Sequence, residues 1–183
     1  MSSHAPFYKG EVDVLIDAKK LAERIRELGE QLTKDYRGKE LTVVSVLKGS
    51  VFFATDLVRH IALPLTMDFL GVSSYEAMQT TGEVRITSDV TKPMAGKDIL
   101  IVEDIIDTGL TMQFIIENLQ ARHPASVRVC ALLEKPARAR TKIQIDYRGF
   151  VIDDVFVVGF GLDYCEKYRN LPFIGALLKT PPT

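Results

Sequence analysis

The chain has 183 residues, 46% of them hydrophobic, which suits one packed domain and excludes global disorder. Its 23 basic and 24 acidic residues leave a formal charge of −1. No overall field therefore attracts nucleic acid or an anionic membrane. The opening MSSHAPFYKGEVD lacks the apolar stretch of a secretion signal, and no run reaches the ~18 apolar residues of a membrane span.

In chain order, residues 17–36 read as an amphipathic helix, with Leu21, Ile25, Leu28 and Leu32 on one face and Asp17 as N-cap. LTVVSVL (41–47) is a strand buried on both sides. After KGS comes a helix with Ala54, Leu57, Val58 and Ile61 on one face. Residues 65–74 and 84–89 read as strands around a polar segment, 75–83. KDILIVEDI (97–105) is another buried strand; Met112, Ile115, Ile116 and Leu119 form a helical stripe after it. SVRVCALLEK (126–135) is a strand, and VFVVGFGLDY (155–164) is the last strand with its exit loop. The tail, NLPFIGALLK, is short and apolar. Strands alternating with helices predict an α/β fold: a doubly wound, mostly parallel sheet flanked by helices. Ligands of such sheets sit beyond the carboxyl ends of the strands. Cys130 and Cys165 have no CxxC partner, and His4, His60 and His123 are scattered. That disfavours a zinc site or a disulfide framework; both cysteines are expected to be reduced packing residues of a cytoplasmic protein.

The stretch VEDIIDTGLTM (102–112) carries three acids, Glu103, Asp104 and Asp107, at the end of an apolar run. Charges this close repel. Strand, then Asp107-Thr108-Gly109-Leu110-Thr111, then helix is the layout of an anion cradle, with free amides at a helix start and a glycine for close approach. The upstream acids could accept hydrogen bonds from adjacent sugar hydroxyls, directly or through Mg²⁺. A phosphate cradle beside a diol binder describes a ribose 5-phosphate site. The plain alternative is that Asp107 or Thr108 merely caps the helix, although neither has Glu or Gln three residues later. Walker A and GxGxxG patterns are missing. A receiver domain beginning near residue 97 would leave the preceding strands unexplained.

The acidic loop closely resembles the phosphoribosyl-pyrophosphate (PRPP) loop of type I phosphoribosyltransferases. The likeness is to their hypoxanthine-guanine branch and spans roughly residues 10–180. It rests also on VLKGSVFFATDL (46–57), SSYEAMQTTGEV (73–84), LLEKP (132–136) and FVVGFGLDYCEKYRNLP (156–172), in the same order. The resemblance implies one phosphoribosyltransferase domain over 1–183, with a small hood from about 1–15 and 155–183 and a flexible lid at about 74–86. It implies purine salvage: transfer of phosphoribosyl from PRPP to N9 of hypoxanthine or guanine, giving IMP or GMP and pyrophosphate. Thr108, Gly109, Leu110 and Thr111 would hold the 5-phosphate, mainly through main-chain amides. Glu103 and Asp104 would face the ribose hydroxyls and a Mg²⁺, and Asp107 would be the general base near purine N7.

On the same resemblance, Lys135 would donate to O6, Phe156 would stack on the base, and the Val157 backbone would bond its edge. Asp163, beside the purine site, would reach a second Mg²⁺. The Lys48-Gly49 backbone, Arg169, Ser74 and Tyr75 would bind pyrophosphate. The Leu47–Lys48 peptide is often cis in the family, and its members are usually homodimers or homotetramers. Two positions depart from the pattern, Ser50 where a second glycine is common and Leu110 where some members have lysine. The alternative function is a non-catalytic PRPP or nucleotide sensor on the same fold. Such proteins often lose the purine-site lysine, the Ser-Tyr pair or the final aspartate, all present here.

Overall fold

The computed structural model describes residues 10–74 and 84–178. Strand β1 (Val12–Ile16) leads into helix α1 (Ala18–Asp35), then β2 (Leu41–Leu47), α2 (Val51–Arg59), β3 (Thr66–Ser74) and β4 (Val84–Ser88). The chain continues through β5 (Asp98–Ile106), α3 (Leu110–Gln120), β6 (Ser126–Glu134), β7 (Tyr147–Val151), β8 (Val157–Val158) and β9 (Ile174–Leu177). A six-stranded sheet has the order β4-β3-β2-β5-β6-β7. All its neighbours pair in parallel except β4, which runs antiparallel to β3.

The strand interiors explain why helices cover both faces. Successive side chains of a strand point to opposite faces. Leu100 and Val102 of β5 and Cys130 and Leu132 of β6 pack with Leu21, Ile25, Leu28 and Leu32 of α1 and with Phe53 and Leu57 of α2. The intervening Ile99, Ile101, Val129 and Ala131 pack with Met112, Ile115 and Leu119 of α3. Burying each large aliphatic side chain contributes roughly 1.5–3 kcal/mol. Asp17 caps α1 as expected, its carboxylate accepting from the Lys20 amide at 2.9 Å.

A second, antiparallel sheet of order β1-β9-β8 forms a hood beside the main one. The segment 155–164, read as a strand with its exit loop, lies in this hood, and its strand is shorter than that reading. Only Val157–Val158 pair, and they pair with β9. The strand ends where Gly159, Phe160 and Gly161 all take positive φ. The sixth strand of the main sheet is β7, which the sequence reading passes over because YRGFV is short and carries an arginine and a glycine. Cys130 is buried, but Cys165 is an exposed free thiol in a turn and not a packing residue. No helix among the described residues is long and apolar enough to cross a membrane. Tyr75, the side chain of Ser74 and most of the expected lid lie outside the described residues, as do residues 1–9 and 179–183 of the expected hood.

Candidate active site

The anion loop lies between β5 and α3. Gly109 is the N-cap of α3, with φ +83° and no side chain to satisfy the first amides. Gln113 is the first residue to bond back, donating to the Gly109 carbonyl at 2.9 Å. The amides of Leu110, Thr111 and Met112 are thus left without intrahelical acceptors, where the helix dipole favours an anion. Neither Asp107 nor Thr108 is the cap, so the plain capping alternative does not hold. A side chain at position 109 would also meet the Thr141 carbonyl. That second loop is fixed in turn by the Thr108 carbonyl, which accepts from Arg140 and Thr141 at 3.0 and 3.1 Å. Glu103, Asp107, Thr108, Gly109, Thr111 and Met112 line a cavity of about 130 Å³.

The acids are less exposed than a solvated strand end would be. Burial, and then the neighbouring Asp104, push the Glu103 carboxyl well above the usual carboxylate range. Its Oε2 is buried without a hydrogen bond. Burial also raises Asp104, which is 8% exposed, while Oδ1 accepts from the Ile105 amide at 2.9 Å. Asp107 lies 3.2 Å from Arg138 Nε, an ion pair whose angle is not that of a hydrogen bond. Arg138 stands 3.9 Å from Asp154 as well. Sequence reasoning missed Arg138; the basic run KPARAR after β6 is the signal that could have found it.

The Lys48-Gly49 turn follows β2, and the Leu47–Lys48 peptide is cis. It packs tightly: a side chain at Gly49 would overlap Asp104 Oδ2, and one at Gly161 would overlap the Gly49 carbonyl. Ser50, the departure from the family pattern, is buried and anchors the turn. Its hydroxyl donates to the Val46 carbonyl and accepts from the Ser45 hydroxyl, both at 2.7 Å. Arg169 donates to the Gly161 carbonyl at 2.7 Å and pairs with Asp163 at 2.7 Å. Asp163 is thereby engaged by a cation; among the described residues no three acidic, histidine or cysteine side chains converge on one point. Glu166, not singled out in the sequence, contacts both Lys48 and Arg169.

Opposite, Lys135 follows β6, its amide held by the Ile106 carbonyl at 2.9 Å. The residue is only 5% exposed. Phe156 is 53% exposed, not core, and meets the Tyr164 ring edge-on at 5.6 Å and 89°. Val157 is in β8, the outer strand of the hood, so one side of its backbone has no strand partner among the described residues.

Comparison with known proteins agrees with this arrangement. The phosphoribosyl transferase domain model matches residues 11–165. The hypoxanthine-guanine phosphoribosyltransferase of Mycobacterium tuberculosis is 46% identical over 181 residues, covering 94% of this chain and 90% of its own. That of Bacillus subtilis is 44% identical, covering 90% and 92%. A crystal structure of a hypoxanthine phosphoribosyltransferase from Staphylococcus aureus has a TM-score of 0.91 at 45% identity, covering 96% of each chain. The helix start with no side-chain cap, the acids beneath it and this similarity along the chain lead to one conclusion: the chain belongs to the type I phosphoribosyltransferase family, in its hypoxanthine-guanine branch.

Proposed function

We propose that this chain transfers the 5-phosphoribosyl group of PRPP to N9 of hypoxanthine and guanine, releasing pyrophosphate and forming IMP or GMP for purine salvage. One observation carries the reading: Gly109 leaves a helix start with free amides beside Glu103, a half-buried acid whose Oε2 is buried and unpartnered. A phosphate and the polyol attached to it answer both needs.

In this reading the amides of residues 108–111 and the Thr108 and Thr111 hydroxyls grip the 5-phosphate. Glu103 and Asp104 orient the ribose hydroxyls. Asp107 takes the proton from purine N7 as N9 attacks C1, help of a kind typically worth ~10²–10⁴-fold. Lys135 donates to O6, and an ammonium has no acceptor to offer adenine in its place. Phe156 presents an exposed ring on which the base stacks. The Lys48-Gly49 backbone and Arg169 take the pyrophosphate. Two hard carboxylates, one with a buried orphan oxygen, suit Mg²⁺, which binds through one or two carboxylates plus substrate phosphates. Glu103 and Asp104 would hold one ion and Asp163 would reach a second. Bound there, Mg²⁺ offsets phosphate charge.

The test is pyrophosphate release from PRPP and Mg²⁺ with each base, with the nucleotide identified. Turnover is expected with hypoxanthine and guanine and far less with adenine. Binding of PRPP without turnover of either oxopurine would instead identify a nucleotide sensor.

A further inference from the structure

We infer that Glu166 is an internal stand-in for pyrophosphate: its carboxylate holds Lys48 and Arg169 while the subsite is free of phosphate and gives them up when phosphate arrives. The inference rests on the assignment of that subsite above and adds the Lys48 ammonium to the Lys48-Gly49 backbone assigned there. Glu166 Oε1 and Oε2 lie 3.3 and 3.2 Å from Lys48 Nζ, and Oε2 lies 3.5 Å from Arg169 Nη2. One acid therefore bridges two cations from segments distant in sequence, the turn after β2 and the loop before β9. Lys48, then Arg169, holds its carboxyl below the usual range, so it is charged near neutrality.

The backbone is arranged to deliver it. Tyr164 and Lys167 exchange backbone hydrogen bonds at 3.1 and 3.0 Å, which makes Cys165-Glu166 a two-residue turn. Both turn residues have positive φ, 51° and 61°. That mirror-image turn normally uses asparagine and glycine. Bulky residues persist in left-handed backbone where the surroundings hold them, often at functional sites. The Glu166 amide is tied to Asp163 Oδ2 at 2.9 Å, the same carboxylate that pairs with Arg169.

Two acids compete for Arg169, and they differ. Asp163 has a short side chain, is 29% exposed and contacts Arg169 at 2.7 Å. Glu166 has a longer one, is 68% exposed and contacts Arg169 at 3.5 Å. Glu166 is the one that yields. A carboxylate and a phosphate cannot both occupy the cations. Glu166 thus weakens the hold on PRPP and on pyrophosphate alike, and recapturing the cations helps the product depart.

The experiment is calorimetric titration of pyrophosphate with Mg²⁺ into the whole protein and its Glu166→Gln, Glu166→Ala and Arg169→Ala variants. Exposed pairs of this kind shift an equilibrium by about 1.5- to 5-fold. Both Glu166 variants should bind pyrophosphate tighter by that factor, and the KM for PRPP should fall in parallel. A merely structural contact would give the opposite sign, since its loss loosens the site. Unchanged or weaker binding in Glu166→Gln overturns the inference, provided Arg169→Ala weakens binding. If Arg169→Ala leaves the affinity unaltered, the pyrophosphate assignment falls and the inference falls with it.

Discussion

Lys135→Met isolates a single charge at the base end of the cleft. Lys135 is 5% exposed, and among the described residues no acceptor engages its ammonium. On the proposed reading its acceptor is the O6 of a bound oxopurine. Methionine keeps nearly the same length and apolar stem, so packing is conserved and the donor alone is lost. A hydrogen bond to a charged group is worth about 1.5–3 kcal/mol, or about 10- to 150-fold in kcat/KM. Steady-state assays at saturating PRPP should show that loss with hypoxanthine and guanine. Adenine, whose amino group no longer faces an ammonium, should be used relatively better. Thermal melting should show little change, because methionine keeps the packing of the buried stem. Wild-type kcat/KM with hypoxanthine would refute the role of Lys135.

Asp107→Asn should depress kcat by about 10²–10⁴-fold with little change in the KM for PRPP; equal turnover would remove the base assignment. Gly109→Ala should cost about 1–3 kcal/mol in urea unfolding and raise the KM for PRPP. A Cβ there sits at φ +83° and 2.5 Å from the Thr141 carbonyl, so wild-type stability would show that the loop yields freely. Asp68 is buried, which opposes its charge. Hydrogen bonds from the Phe69, Thr91 and Lys92 amides and the Thr91 hydroxyl nevertheless hold its carboxyl below the usual range. A depressed folded pKa adds stability above the unfolded value and loses it as pH falls through the folded one. Asp68→Ala should therefore cost about 1–3 kcal/mol at pH 7 and progressively less as pH falls below the ordinary aspartate range, by urea unfolding across that range. A pH-independent difference would deny the linkage.

Local patterns made the main sheet legible. β2, β5 and β6 are apolar runs long enough to fill both faces, and α1 announces itself by spacing and by Asp17. The helix start after 107–109, with its free amides, could be read because loop, glycine and helix are contiguous. What stayed hidden depends on partners distant in sequence. β7 looks like a loop until β6 offers it hydrogen bonds. β1 and β9 look like loose ends until they pair with each other. Arg138 and Glu166 are ordinary surface charges in sequence. They gain meaning only when folding brings them to Asp107 and to Lys48.

The pairing of β1 with β9 bears on how the protein is made. Residues 12–16 leave the ribosome early, yet they wait for residues 174–177 before their sheet can close. On the proposed reading the sugar-phosphate cradle can form while translation continues, whereas the shelf for the base, next to β8, cannot. A chain cut short before Ile174 would be expected to keep the architecture for gripping a phosphorylated sugar and to lose its grasp of the acceptor, making it a binder of PRPP with nothing to give it to.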